Sequence, residues 1–384
     1  MTKKTKIKIG ILVMCMSSLC YLSLSPIIAD VAADFPAVDV SLIQLIISLP
    51  AFMSIVCSPL SGKMIQYIPT RTLGLFGMSM YLIGGLIPFF LHSNIWIILA
   101  CSLIIGIGGG ILNPLINAII CENFELEERG PLMGLNATFV ALGALLFIFV
   151  GGQLSRFGWH YCYLTFLLTG VYLAIVAVTI PKGKSKSVES SSQGSGFEMN
   201  PYIAFVFVVG FLFFVFQNAY NTNSSIYISE RGFGGADVAS MATMANTLGG
   251  MVGGVLFGFL YKKLSDHIHT AALAIPAVGF LLASFVPALG SVLASGALVG
   301  FGFALYNASG TLLLSKYLKP ENNAFTVSIY LAVINVATSL SPLVVNPLAR
   351  IMGEDMLQRF LLSGVVIAVL AVTALVVNRK HAKA

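Results

Sequence analysis

Charge is what this sequence has least of. Asp, Glu, Lys and Arg make up 9% of its 384 residues, against 57% apolar residues. From Thr72 to Cys121 there is no charged side chain at all, and the same holds from Ile268 to Ser315. A water-soluble domain needs a surface of which about a quarter to a third is charged, so that class is excluded. Tryptophan is scarce too, with two residues, and the six cysteines show no metal-ligand spacing. The cysteines read as small apolar packing residues, and nothing points to disulfides, a metal or any other cofactor.

What is present is a series of long apolar runs. A bilayer-crossing helix needs roughly 20 such residues. Twelve spans are predicted, at about 9–30, 41–62, 72–92, 95–120, 132–154 and 160–180, then about 200–228, 238–261, 269–288, 291–315, 325–348 and 358–378. The two charge-free stretches are each too long for one span, so each holds two. The fold class is therefore an all-α polytopic membrane protein. The first 22 residues, with a basic start and an apolar core, have the outline of a signal peptide. Removing them would leave eleven spans and break the pairing of halves described next.

The basic residues set the orientation. With the N-terminus inside, all of the 21 Lys and Arg fall on the cytoplasmic side except Arg156, Arg231, Arg350 and Arg359. That is the positive-inside pattern, with both termini cytoplasmic. The protein is expected in the cytoplasmic membrane of a bacterium, as a monomer. The net charge of +6 then calls for no nucleic-acid partner.

The one low-complexity segment, "PKGKSKSVESSSQGSGFEMN", reads as a flexible cytoplasmic linker. It divides the chain into an N-terminal six-helix bundle (1–181), the linker (182–199) and a C-terminal six-helix bundle (200–384). The halves resemble each other. "GIGGGILNPLIN" at Gly106 is matched by "GFGFALYNASGT" at Gly300, pairing Gly106 with Gly300, Gly108 with Gly302 and Asn113 with Asn307. The same frame pairs Glu122 with Lys316 and Arg156 with Arg350. Duplicated bundles of this kind place a binding site near the midplane, where the repeats meet.

Between spans two and three the chain reads "GKMIQYIPTR", with Gly62 and Arg71. The second half offers "GFLYKKLSDH", with Gly258, at the matching place. With the six-plus-six layout and a central inner loop, these segments resemble the major facilitator superfamily of secondary transporters. The family pattern has an acid where Gln66 stands, a second glycine where Pro69 stands and an arginine where Ser102 stands. "FGWHYCYLTF" is similar to the family's Trp-Arg turn, with His160 for the arginine. The drug–proton antiporter branch carries a Gly-Pro pair in span five. Here Gly143, Gly151 and Gly152 are kept while Phe147 and Ile148 occupy the pair. The resemblance implies transport by alternating access.

No Asp, Glu, Lys or Arg falls in a span centre, whereas a site for a small ion would be expected to hold an opposite charge at depth. The expected substrate is a small neutral, zwitterionic or amphipathic molecule. The polar groups available to bind it are Tyr21 in span one, Asn113 and Asn117 in span four, Gln217, Tyr220 and Asn221 in span seven, Asn246 in span eight, Tyr306 and Asn307 in span ten, and Asn335 in span eleven. The spacing of Gln217, Tyr220 and Asn221 predicts one polar face, and span seven is expected to break near 218–223. Asn223 lies off that face. The alternative for each amide is interhelical hydrogen bonding. Gly106 with Gly110, and Gly250 with Gly254, are expected to let helices approach closely. If a proton is the coupling ion, Asp30 and Glu122 are the candidates, with Arg71 as a gating partner of Glu122. His160 and His269 read as loop-edge residues and are weak candidates for that role.

Three functional readings stay open at this point. They are an efflux transporter for amphipathic solutes, an uptake permease or facilitator for a polar uncharged nutrient, and a non-transporting receptor or scaffold on the same fold. An enzyme would need a nucleophile–base pair or metal ligands at membrane depth, which the spans do not supply.

Overall fold

The computed structural model describes residues 3–181, 200–265, 267–317, 320–353 and 355–381. The linker residues 182–199 lie outside the described residues. Among those described, every regular element is helical. Twelve stretches are long and apolar enough to cross a membrane.

The first stretch, Lys4–Asp34, is not one continuous α-helix. Helix α1 (Lys3–Ser17) gives way to a 3₁₀ segment (Cys20–Ile27) and then to α2 (Ile28–Asp34). Pro26, inside that segment, has no backbone N–H to donate. Carbonyls along the break are taken up locally: Ser17 Oγ donates to Met14 O at 2.7 Å and Ser23 Oγ to Cys20 O at 2.8 Å. Next come α3 (Val40–Tyr67), α4 (Thr70–Phe90), α5 (Ile95–Asn123), α6 (Leu126–Leu154) and α7 (Leu167–Thr179). A second long 3₁₀ segment, Trp159–Phe166, leads into α7. Helix starts follow their capping residues. The side chains of Asp39 and Asn94 accept from the backbone N–H of Ser41 and Trp96, and Glu125 with Glu128 forms a capping box at α6.

The second half begins with α8 (Pro201–Gln217) and α9 (Ala219–Glu230), followed by α10 (Ala236–Leu264), α11 (His267–Phe285), α12 (Leu289–Tyr317), α13 (Pro320–Met352) and α14 (Met356–His381). Span seven is interrupted at Asn218, between α8 and α9.

The chain separates into two compact units, Met1–Ser191 and Ser192–Ala384. In the first, α5 packs against α3 and α4; in the second, α12 packs in the same way against α10 and α11. The correspondence reaches individual atoms. A Cβ placed on Gly106 would lie 2.6 Å from Pro50 O, and one on Gly300 would lie 1.8 Å from Asn246 O. One on Gly108 would lie 2.8 Å from Gly77 O, and one on Gly302 would lie 2.9 Å from Ala272 O. Such contacts with backbone leave no room for a methyl group, so these positions require glycine.

The α10 register differs from the sequence expectation by one residue. Gly249 and Gly253 press against Ala297 O and Phe301 O, with added Cβ atoms at 2.0 and 2.6 Å. Gly254 faces open space, and Gly250 is no closer than 3.4 Å. One residue is about 100° around a helix, enough to turn Gly254 away from α12 and leave Gly250 in ordinary contact with Gly300 O.

Candidate functional site

The predicted polar residues fall into two groups, set apart by what their side chains hold. The first group is buried or hydrogen-bonded within its own unit. Among the described residues, no side-chain hydrogen bond holds Gln217, and the Tyr306 hydroxyl has no hydrogen-bond partner. Tyr220 is fully buried and its hydroxyl donates to Val292 O at 2.8 Å, while its ring stacks on Phe360. It therefore leaves the face expected from its spacing and serves the contact of α9 with α12 and α14. Replacing Tyr220 by Phe is expected to cost about 1 kcal/mol of stability, read by thermal unfolding in detergent, and to leave transport near the wild-type rate.

Gln217 is also buried. Asn218, where the span breaks, donates to Thr338 O at 3.0 Å and accepts from Asn221 Nδ2 at 3.3 Å. Asn221 is half-buried. Asn246 donates to Gly296 O at 3.3 Å, tying α10 to α12 beside the glycine contact. Asn335 is exposed but donates to Leu331 O of its own helix at 2.9 Å. Tyr306 is fully buried and packs on Phe213 at 4.2 Å between ring centroids.

The second group is uncommitted. Asn113 and Asn117 are exposed on one face of α5, and Asn307 is half-buried on α12. Among the described residues, no side-chain hydrogen bond holds any of these three amides. Tyr21 is half-buried on the 3₁₀ segment. An amide left without a partner in hydrocarbon costs several kcal/mol, so an open, uncommitted amide at depth is expected to face a polar path rather than lipid.

The charged candidates lie at the helix ends. Asp30 and Glu122 are half-buried, and each has further interactions of its own. Arg71 is half-buried, and among the described residues no ion pair joins it to a carboxylate. At the same end of the unit, Lys4 bonds Glu128 at 3.0 Å and lies 3.9 Å from Glu125, tying α1 to the start of α6. That ammonium holds the Glu128 carboxyl below the usual carboxylate range.

Two features went unread in the sequence. Arg359, assigned by sequence to an outer end, is only 5% exposed, and its Nη1 donates to Asn223 Oδ1 at 2.6 Å. Asn223 is itself fully buried and donates to Ala219 O at 3.0 Å. Glu230 lies within electrostatic reach of Arg359, Asp355 and Arg231, and Arg231 is bonded to Asp355 at 2.8 Å. The second feature is at the corresponding end of the first unit. Trp159 Nε1 donates to Asp34, and His92 stacks on His160 at 4.3 Å.

The sequence model of the Major Facilitator Superfamily matches residues 10–342. The chain belongs to the major facilitator superfamily. It is an integral membrane protein of a transporter family, not an enzyme. Multidrug resistance protein 2 of Bacillus subtilis (strain 168) is 22% identical over 229 residues, which are 56% of this chain and 57% of that protein. A putative glycerol-3-phosphate transporter 2 of Arabidopsis thaliana is 25% identical, over 54% of this chain and 49% of its own. The matched parts thus cover about half the length of these relatives. Among solved structures, a bacterial homologue of the human drug peptide transporters superposes with a TM-score of 0.76 at 15% identity, covering 100% of both chains. A bacterial homologue of the lysosomal transporter Spinster gives 0.70 at 13% identity, covering 97% of this chain and 95% of its own. At such identities the likeness is one of fold.

Proposed function

We propose that this transporter moves a small neutral, zwitterionic or amphipathic organic solute across the cytoplasmic membrane by alternating access, in the direction of export. The observation that carries the reading is the uncommitted amide set. Asn113 and Asn307 occupy matched positions on α5 and α12, in charge-free stretches, and neither is engaged by its own helices. An amide at the matched position of each bundle suits a solute that is hydrogen-bonded at a few points and otherwise held by apolar walls. A fixed ion would call for a countercharge. Among the described residues Arg359 is the one buried Lys, Arg, Asp or Glu, and it lies at a helix start held by Asn223. The relative named for multidrug resistance supports export. Uptake of a polar uncharged nutrient is the second reading, favoured by the amides themselves.

The test is flux in proteoliposomes over a panel of neutral and amphipathic compounds. Saturable movement of at least one, above that of protein-free vesicles, is expected, and no movement of any would sink the transport reading. Within an active system, Asn113→Ala and Asn307→Ala are each expected to slow flux at least about tenfold, a loss of roughly 1.4 kcal/mol, with unchanged melting. A matching loss of stability would instead return them to helix packing.

A further inference from the structure

His269 stands near the start of α11, where sequence places it at a loop edge. It is only 1% exposed. Its Nδ1 lies 3.1 Å from Ser309 Oγ, and the Ser309 hydroxyl donates to Tyr306 O at 3.2 Å. Nδ1 and the Ser309 hydroxyl share the 3.1 Å hydrogen bond, and Nε2 is buried with no hydrogen-bond partner. The other face of the ring lies against Tyr306, 4.6 Å between centroids.

A cleft of about 10 Å³ adjoins it, lined among others by Tyr261, Ser309, Leu312 and Lys316. That is room for about one water. Lys316 is exposed at the end of α12, so the cleft leads from His269 toward the end that the charge pattern assigns to the cytoplasm.

The other unit shows that packing does not require these polar groups. Gly84 meets Cys101 O and Ile105 as Gly279 meets Ser295 O and Val299. In that frame His269 corresponds to Gly74, Ser309 to Leu115 and Tyr306 to Leu112. A Cβ on Gly74 would touch Leu115 at 3.6 Å. One unit fills the place with apolar groups; the other has installed an imidazole, a hydroxyl and a phenol.

We propose that His269 is the proton-binding group that couples transport to a proton gradient, an inference that rests on the transporter reading above. A hydronium reaching the cleft gives its proton to the ring nitrogen that carries the lone pair and leaves as water. The imidazolium then has a second N–H to place and no carboxylate to meet it among the described residues. The titratable groups around it are Tyr261 of α10, Lys316 and Tyr306 of α12, and Tyr330 of α13 behind Tyr306. Lys262 and Lys263 sit exposed in the last turn of α10 and His267 at the first residue of α11, and the described charge of α14, Arg359, is at the opposite end of that helix. The protonated ring therefore needs the α11–α12 cleft to widen and admit water. A proton that binds one arrangement better than another shifts the population toward it.

Wild type and His269→Asn, which keeps an N–H toward Ser309, are compared in the same proteoliposomes. Wild type is expected to accumulate solute about tenfold for a gradient of about one pH unit. His269→Asn should keep downhill flux and lose that accumulation. Accumulation by His269→Asn equal to wild type would overturn the proposal, whereas absence of downhill flux in wild type would tell against transport itself. Nitrogen-15 NMR of the imidazoles in nanodiscs gives a readout that needs no flux. The His269 signal should pass from neutral imidazole to imidazolium as the pH is lowered, and a ring that stays neutral throughout would also overturn it. If His269→Asn fails to fold, Ser309→Ala serves: it should displace the midpoint of the His269 titration, and an unmoved midpoint would contradict the assigned hydrogen bond.

Discussion

Replacing Gly300 by alanine is expected to destabilise the second unit by roughly 1–3 kcal/mol, while the same change at Gly254 is neutral or stabilises it by up to about 1 kcal/mol. The two glycines lie on facing helices of one unit and differ in what surrounds them. A Cβ on Gly300 would lie 1.8 Å from Asn246 O, 2.7 Å from Asn246 C and 3.0 Å from Gly250 N. These are backbone atoms, so no rotamer change relieves the overlap and α10 must move away from α12. That movement also stretches the bond from Asn246 Nδ2 to Gly296 O. Around Gly254 nothing lies within 4 Å, so a methyl group there adds helix propensity without strain. Thermal unfolding in detergent separates the two, and equal effects would contradict the α10 register.

The second large effect concerns Arg359 and Asn223. Asn223→Ala removes an acceptor from a buried guanidinium and is expected to cost roughly 3 kcal/mol. Arg359→Ala should cost a similar amount, since it takes the charged donor from a buried amide oxygen. Changing both at once, to Arg359→Met with Asn223→Leu, is expected to recover most of the loss, because breaking a buried polar pair costs more than replacing it with apolar side chains. A double variant as unstable as the sum of the two single ones would show that the 2.6 Å contact is not what holds these residues. This pair also reverses the order that spacing suggests. Asn223, off the predicted face, is expected to have the larger effect on folding, and Asn113 and Asn307 the larger effect on flux.

The spans were legible in the sequence because a bilayer demands long apolar runs and tolerates few charges within them. The pairing of Gly106 with Gly300 was legible as well, since a helix backbone can approach another closely only over small residues. What could not be read was which way a helix faces. Gly250 and Gly254 have the right spacing, yet Gly249 and Gly253 make the contact, because rotation about the α10 axis is set by its neighbours. Tyr220 illustrates the same limit, as its spacing suits a polar face but its ring fits between Phe280 and Phe360. His269 and Arg359 were misplaced for a related reason. Each lies within a few residues of a helix start, where sequence suggests solvent, and burial there depends on α12 or α9 covering it.

The amides of Asn113 and Asn307 are where function and structure meet most directly. All five cysteines with described side chains are buried, which leaves a quiet background for a single reporter thiol once Cys121 is replaced by serine. Asn113→Cys and Asn307→Cys are each labelled with a membrane-impermeant maleimide in sealed vesicles, with and without a transported compound from the panel. Val255→Cys, on the exposed side of α10, is the control. Both asparagine positions should react from the aqueous phase at rates that the compound changes, while the control does not respond. Rates at Asn113→Cys and Asn307→Cys that match the control and ignore the compound would contradict a solute path along these two residues.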